Sequence, residues 1–96
     1  MTFTWHEEKN NLLKKHRNIS FEQIVLAIEN KQVLDVLEHP NEEKYKGQKF
    51  IMVESNNYVY VVPVEISDSE EVCRLITIYP SRKYTKKYLG DKNGKK

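Results

Sequence analysis

Residues 19–38, Ile-Ser-Phe-Glu-Gln-Ile-Val-Leu-Ala-Ile-Glu-Asn-Lys-Gln-Val-Leu-Asp-Val-Leu-Glu, carry the change of period that decides the fold. In the first part Phe21, Ile24, Val25 and Ile28 fall at i, i+3, i+4 and i+7, one face of a helix that ends near Asn30. Ser20 has the side chain of an N-cap, and Gln23 stands at the reciprocal position three residues on. Ile19 and Ile24 occupy the hydrophobic-staple positions. From Val33 the period becomes two, and residues 33–38 read as a strand that stops at His39-Pro40.

Upstream, Phe3 and Trp5 alternate with polar residues, as in a short half-buried strand over residues 2–5. The spacing predicts a helix over 6–16, with Thr4 and Glu7 as a capping box and Leu12, Leu13 and His16 as a narrow apolar stripe. Asn18 closes it, because Asn tolerates the left-handed conformation common at helix ends. Downstream, a polar loop over 41–47 leads to a strand over 49–54, and Ser55-Asn56-Asn57 reads as a tight turn. Residues 58–65 form a long strand whose Pro63 lacks a donor, so that end is expected at an edge or a bulge. A turn over 67–71, a last strand over 72–79 and a helix from Ser81 to about Leu89 complete the chain. The expected order is β-α-α-β-β-β-β-α: an α+β fold, an antiparallel sheet with helices packed against it. The domain is expected to span 1–89, with 90–96 a disordered, basic tail.

A chain of 96 residues is long enough for one hydrophobic core. Cys73 is the single cysteine, so no internal disulfide forms. No stretch has the apolar length of a membrane helix. His6, His16 and His39 lie ten and twenty-three residues apart and have no metal-ligand spacing. These features argue against a membrane protein, a secreted disulfide scaffold and a zinc module. They lead to the expectation of a cytoplasmic protein without metal or cofactor. The net charge of +2 is divided unevenly: residues 1–71 hold 8 Lys/Arg against 13 Asp/Glu, and residues 72–96 hold 8 Lys/Arg against Asp91 alone. A basic end of this kind suits a polyanion, or an acidic protein that mimics one.

Most of that charge falls on the last helix. Arg82, Lys83, Lys86 and Lys87 form an arc opposite Tyr84 and Tyr88, and the like-charge i, i+4 pairs cost an isolated helix a few tenths of a kcal/mol each. Lys86 and Lys87 near the helix C-terminus are also explained by the macrodipole, but Arg82 at the N-terminus is not. The two tyrosines serve either as sheet packing or as platforms for bases.

Several stretches together resemble one family. Phe3-x-Trp5-x-x-x-Lys9, Lys14-Lys15-His16 and Ile19-Ser20-Phe21-Glu22 are similar to the opening of BrnT-type toxins. Gly47-Gln48-Lys49-Phe50 and Ile76-x-Ile78-x-x-Ser81-Arg82-Lys83-x-Thr85-Lys86-Lys87 are similar to later segments of that family. The resemblance runs over about residues 2–88. It implies a RelE-like fold, metal-independent endoribonuclease activity on messenger RNA, and neutralisation by a small DNA-binding antitoxin. The chain departs from the pattern at His6, where the family has Asp, and at Asn18, which stands near its Gly. It departs again at Thr77, where Arg is frequent, at Tyr84 (Ala) and at Tyr88 (Glu).

Metal-free RNA cleavage needs cations around the phosphorus, a base for the 2′-hydroxyl and an acid for the leaving oxygen. Arg82, at a strand-to-helix junction, is the expected phosphate-stabilising group, since guanidinium binds phosphate bidentately. Lys49 is the expected second cation. His16 reads either as a packed core histidine or as an acid/base, and His39 as a turn residue. Lys83, Lys86, Lys87 and Lys15 are the expected RNA contacts. The alternative is a non-catalytic module that binds nucleic acid or only its antitoxin.

Overall fold

The structure, a computed structural model, describes residues 1–41 and 43–90. It has α+β architecture, in the order β1 (Thr2–Thr4), α1 (Glu7–Arg17), α2 (Phe21–Glu29), β2 (Val33–Glu38), β3 (Gln48–Ser55), β4 (Tyr58–Ile66), β5 (Val72–Leu75), β6 (Tyr79–Pro80) and α3 (Arg82–Leu89). The sheet runs β1-β5-β4-β3-β2, with β6 also on β4. Its pairs are antiparallel except for β1, which lies parallel to β5 with Phe3 opposite Cys73.

Strand alternation divides the interior into two cores. Ile51, Val53, Val62, Val64, Cys73 and Leu75 face α1 and α2, where Leu13, Ile19, Phe21, Ile24 and Ala27 cover them. The intervening Met52, Val59 and Val61 face the other way and are covered by Leu89, Tyr84 and Tyr88 of α3. A single sheet thus separates α1 and α2 on one face from α3 on the other.

Local signals explain most element ends. The Ser20 hydroxyl accepts from the Gln23 amide at 3.1 Å, while the Gln23 side chain turns away towards Ser55 (3.4 Å), so the capping box is one-armed. Asn18 adopts φ 56° and closes α1. The expected cap of that helix is absent: Thr4 belongs to β1, and His6 is the N-cap residue without a side-chain capping bond. Asn56 and Asn57 both have positive φ, the geometry of a two-residue hairpin turn matched to strand twist. Gly47, at φ 84°, accepts from the Ile66 amide at 2.9 Å, and a Cβ there would lie 2.8 Å from the Ile66 carbonyl oxygen.

The expected last strand over 72–79 is in fact two strands. Pro63, far from a sheet edge, lies inside the central β4, opposite Phe50 of β3. Its carbonyl accepts from Ile76, so its donor-less nitrogen faces the same side, where β5 has ended and β6 has not begun. The ladder breaks where β4 has no N–H to offer. Gly90 is the C-cap of α3, and residues 91–96 of the expected tail lie outside the described residues.

Candidate nucleic-acid interface

The cationic residues singled out from the sequence fall in three separate places. Arg82, Lys83, Lys86 and Lys87 are exposed on α3, and among the described residues none of the four has an ion-pair partner. Ser81 caps this helix by accepting from the Tyr84 amide at 3.1 Å, and its own amide donates to Val59 at 2.9 Å. Thr85 Oγ1 accepts from the Val59 amide at 2.9 Å, a side-chain tie from α3 to β4.

Tyr84 and Tyr88 are half-buried packing residues whose rings stack at 6.1 Å. The Lys83 and Lys87 ammonium groups lie over Tyr84 at 5.3 and 5.9 Å, and Lys87 also lies 5.3 Å from the Tyr88 ring centre. The lysines are therefore partly organised by cation–π contacts. Tyr88 Oη donates to Asp35 Oδ2 at 2.6 Å, a bond that lowers the Asp35 carboxyl and pushes the phenol up to about 12. That bond fastens the end of α3 to β2. The tyrosines thus pack against the second core, and their rings also carry the lysine contacts.

Lys49 does not join this surface. It stands opposite Val64 in the ladder and shares the α1/α2 side of the sheet, whereas α3 covers the other. Ser81 meets β4 at Val59, five residues from Val64, or about 17 Å along a strand. Its ammonium pairs with Glu38 at 3.3 Å, and it borders a cleft of about 240 Å³ that also contains Asp68 and Glu70. An ammonium already matched by carboxylates is a poor second cation for a phosphate.

His16 and Lys15 are exposed near the end of α1. The expected core position for His16 is not observed. Leu13 is the buried member of the apolar stripe and Leu12 is 51% exposed, so a ring three residues after Leu13 lies on the helix flank. His39 is the turn residue expected: its Nδ1 accepts from the Asn41 amide at 3.1 Å, and its ring stacks on Tyr45.

The residues that sequence reasoning missed lie beside α1. Beyond the end of the short β1, the end of β5 with the residues that follow it and the start of α1 enclose a cleft of about 390 Å³, lined by His6, Lys9, Arg74, Leu75, Ile76 and Thr77. Among the described residues neither Lys9 nor Arg74 is ion-paired, and no carboxylate lines this cleft. Two of the departures from the family pattern, His6 and Thr77, both belong to it. Lys9 also borders a neighbouring recess of about 190 Å³, with Leu12, Leu13, His16 and Arg17. The Arg17 guanidinium donates to the Ile78 carbonyl and holds this end of α1 against the break between β5 and β6. The signal for the grouping was helical spacing: His6, Lys9, Leu13, His16 and Arg17 share one face. The partner strand, however, could not be read from spacing.

Among the described residues no three His, Cys, Asp or Glu are grouped to hold a metal ion, and no helix is long and apolar enough to cross a membrane. Compared with known protein families and with curated proteins, the chain finds no match in either.

Proposed function

We propose that the chain acts on RNA in the cytoplasm as a metal-independent endoribonuclease, the toxin half of a toxin–antitoxin pair with a RelE-like fold. The observation that carries this reading is the α3 surface: four exposed cations on one short helix, without ion-pair partners among the described residues. Its support comes from the ordered BrnT-like motifs and an α+β architecture close to the expected order. In this reading the stripe contacts RNA phosphates and, in the inhibited complex, an acidic segment of the antitoxin. The reaction is attack of a 2′-oxygen on the adjacent phosphorus with departure of the 5′-oxygen. It leaves a 2′,3′-cyclic phosphate and a 5′-hydroxyl, and Arg82 supplies a bidentate cation.

The test is cleavage of messenger RNA by the purified chain in EDTA. Cleavage is expected to persist, and Arg82→Ala to lower it by about 10²–10³-fold, the usual loss when one preorganised charge-stabilising donor is removed. Activity that requires added Mg²⁺ would refute the metal-free reaction. A second reading, a binding module without catalysis, is favoured by the separation of Arg82, Lys49 and His16. It predicts RNA retention with no cyclic-phosphate product.

A further inference from the structure

We infer that the cleft between the start of α1 and the end of β5 is a binding site for the phosphodiester backbone of a single RNA strand. Lys9 and Arg74 supply its charge, and the Lys9–His16–Arg17 recess continues it along the helix. The inference rests on the proposed action on RNA but assigns the strand to a surface other than the α3 stripe.

Charge selects this cleft from its neighbours. Arg74 also borders a second depression, of about 370 Å³, but Glu65 and Asp68 share it, and the depression beside Lys49 contains Asp68 and Glu70. Only the side of Arg74 towards α1 meets Lys9 and His6 with no carboxylate in the lining. His6, although the N-cap residue, makes no capping bond with its imidazole, so the ring is not committed to the helix. Thr77 adds a hydroxyl group able to donate to a phosphate oxygen or to a ribose.

The dimensions suit a strand better than a small anion. Lys9 and His16 are seven residues apart on α1, about 10 Å along the axis, so one phosphate cannot engage both. Between them Leu12 is largely exposed, and Ile76 is exposed on the facing edge. Cations separated by apolar patches match the alternation of phosphates and bases in an unpaired strand. A duplex would bury its bases and leave those apolar groups without a partner.

The test is fluorescence anisotropy with a short, labelled 2′-O-methyl oligouridylate, which binds but cannot be cleaved, over a range of salt. Lys9→Gln/Arg74→Gln is expected to weaken binding roughly tenfold or more and to flatten the log–log salt slope by about 1.4, or 0.7 for each lost phosphate contact. Lys31→Gln/Lys44→Gln, which removes the same charge from exposed lysines outside both the cleft and the α3 stripe, is expected to leave oligouridylate binding within about twofold. In the unaltered chain, amide resonances of residues 6–9 and 74–77 should move on titration with the same probe, a readout that needs no variant to fold. Binding unchanged in Lys9→Gln/Arg74→Gln, or lost equally in both variants, would overturn the cleft assignment and leave the RNA reading standing. An unaltered chain that binds no oligouridylate and no messenger RNA would overturn both.

Discussion

Asn10 is fully buried and uses both ends of its amide: Oδ1 accepts from the Phe21 amide at 2.8 Å, and Nδ2 donates to Glu22 at 2.8 Å. It joins α1 to the first turn of α2, where free N–H groups need acceptors. Asn10→Ala leaves a buried N–H without a partner and is expected to cost about 1–3 kcal/mol, measured as a lower urea midpoint at unchanged slope. The Asn10 amide is also the main reason that the Glu22 carboxyl lies below its ordinary range, with Lys14 at 3.8 Å assisting. A depressed carboxyl stabilises the fold above its unfolded value, and that contribution is lost as pH falls through the folded value. The acid-side fall in stability should therefore be shallower in Asn10→Ala; identical acid limbs would refute the link. Nothing in the sequence marks Asn10, because its spacing puts it on the same face as Leu13 and Arg17 without showing that a neighbouring helix start needs an acceptor. His16 misled for the converse reason: it follows the apolar stripe, but α1 buries only a narrow one.

Among the elements, α2 is the one whose sequence and structure agree most fully, and its end contains the clearest local strain. Lys31 adopts φ 62°, its amide donates to Ile28 and the Gln32 amide donates to Ala27, the two bonds of a Schellman closure. That closure places a lysine where glycine is the unstrained choice, and the left-handed conformation costs an L-residue about 1–2 kcal/mol. Lys31→Gly is expected to raise stability by up to about 1 kcal/mol, once the greater freedom of glycine in the unfolded chain is subtracted. A lower melting temperature would show that the lysine side chain contributes more than its backbone strain costs. The β5–β6 break was partly legible too. Cys73 and Leu75 are on odd positions and Ile78 on an even one, so a single regular strand over 72–79 could not turn all three to the one core they share. What the sequence could not supply was the pairing that sets the donor-less Pro63 beside this break.

At the scale of the whole molecule, the sheet is a wall shared by two cores, and that arrangement predicts how the protein unfolds. The two-sided pattern was visible in residues 58–62, where all five side chains are apolar or aromatic, on both parities. The parallel docking of β1 and the assignment of α3 to the face opposite α1 were not, because both depend on contacts far apart in the chain. Residues 51–53 send Ile51 and Val53 to one core and Met52 to the other, so neither helical layer can leave without exposing the backs of the same strands. Unfolding should therefore be one cooperative transition. Two intrinsic probes report on the two sides: Trp5 stacks on Phe21 at 5.6 Å beside the first core, and Tyr84 and Tyr88 pack on the second. Urea curves from tryptophan fluorescence and from near-ultraviolet circular dichroism of the tyrosines are expected to coincide. Leu89→Ala removes a buried side chain from the α3 side alone and should shift both curves together by about 2–4 kcal/mol, the range for a Leu-to-Ala cavity. If the tyrosine signal fell first while Trp5 stayed native, α3 would be a separable layer, and the basic stripe could be released without unfolding the α1 side. Coincident curves would mean that the stripe and the cleft persist, or are lost, as one unit.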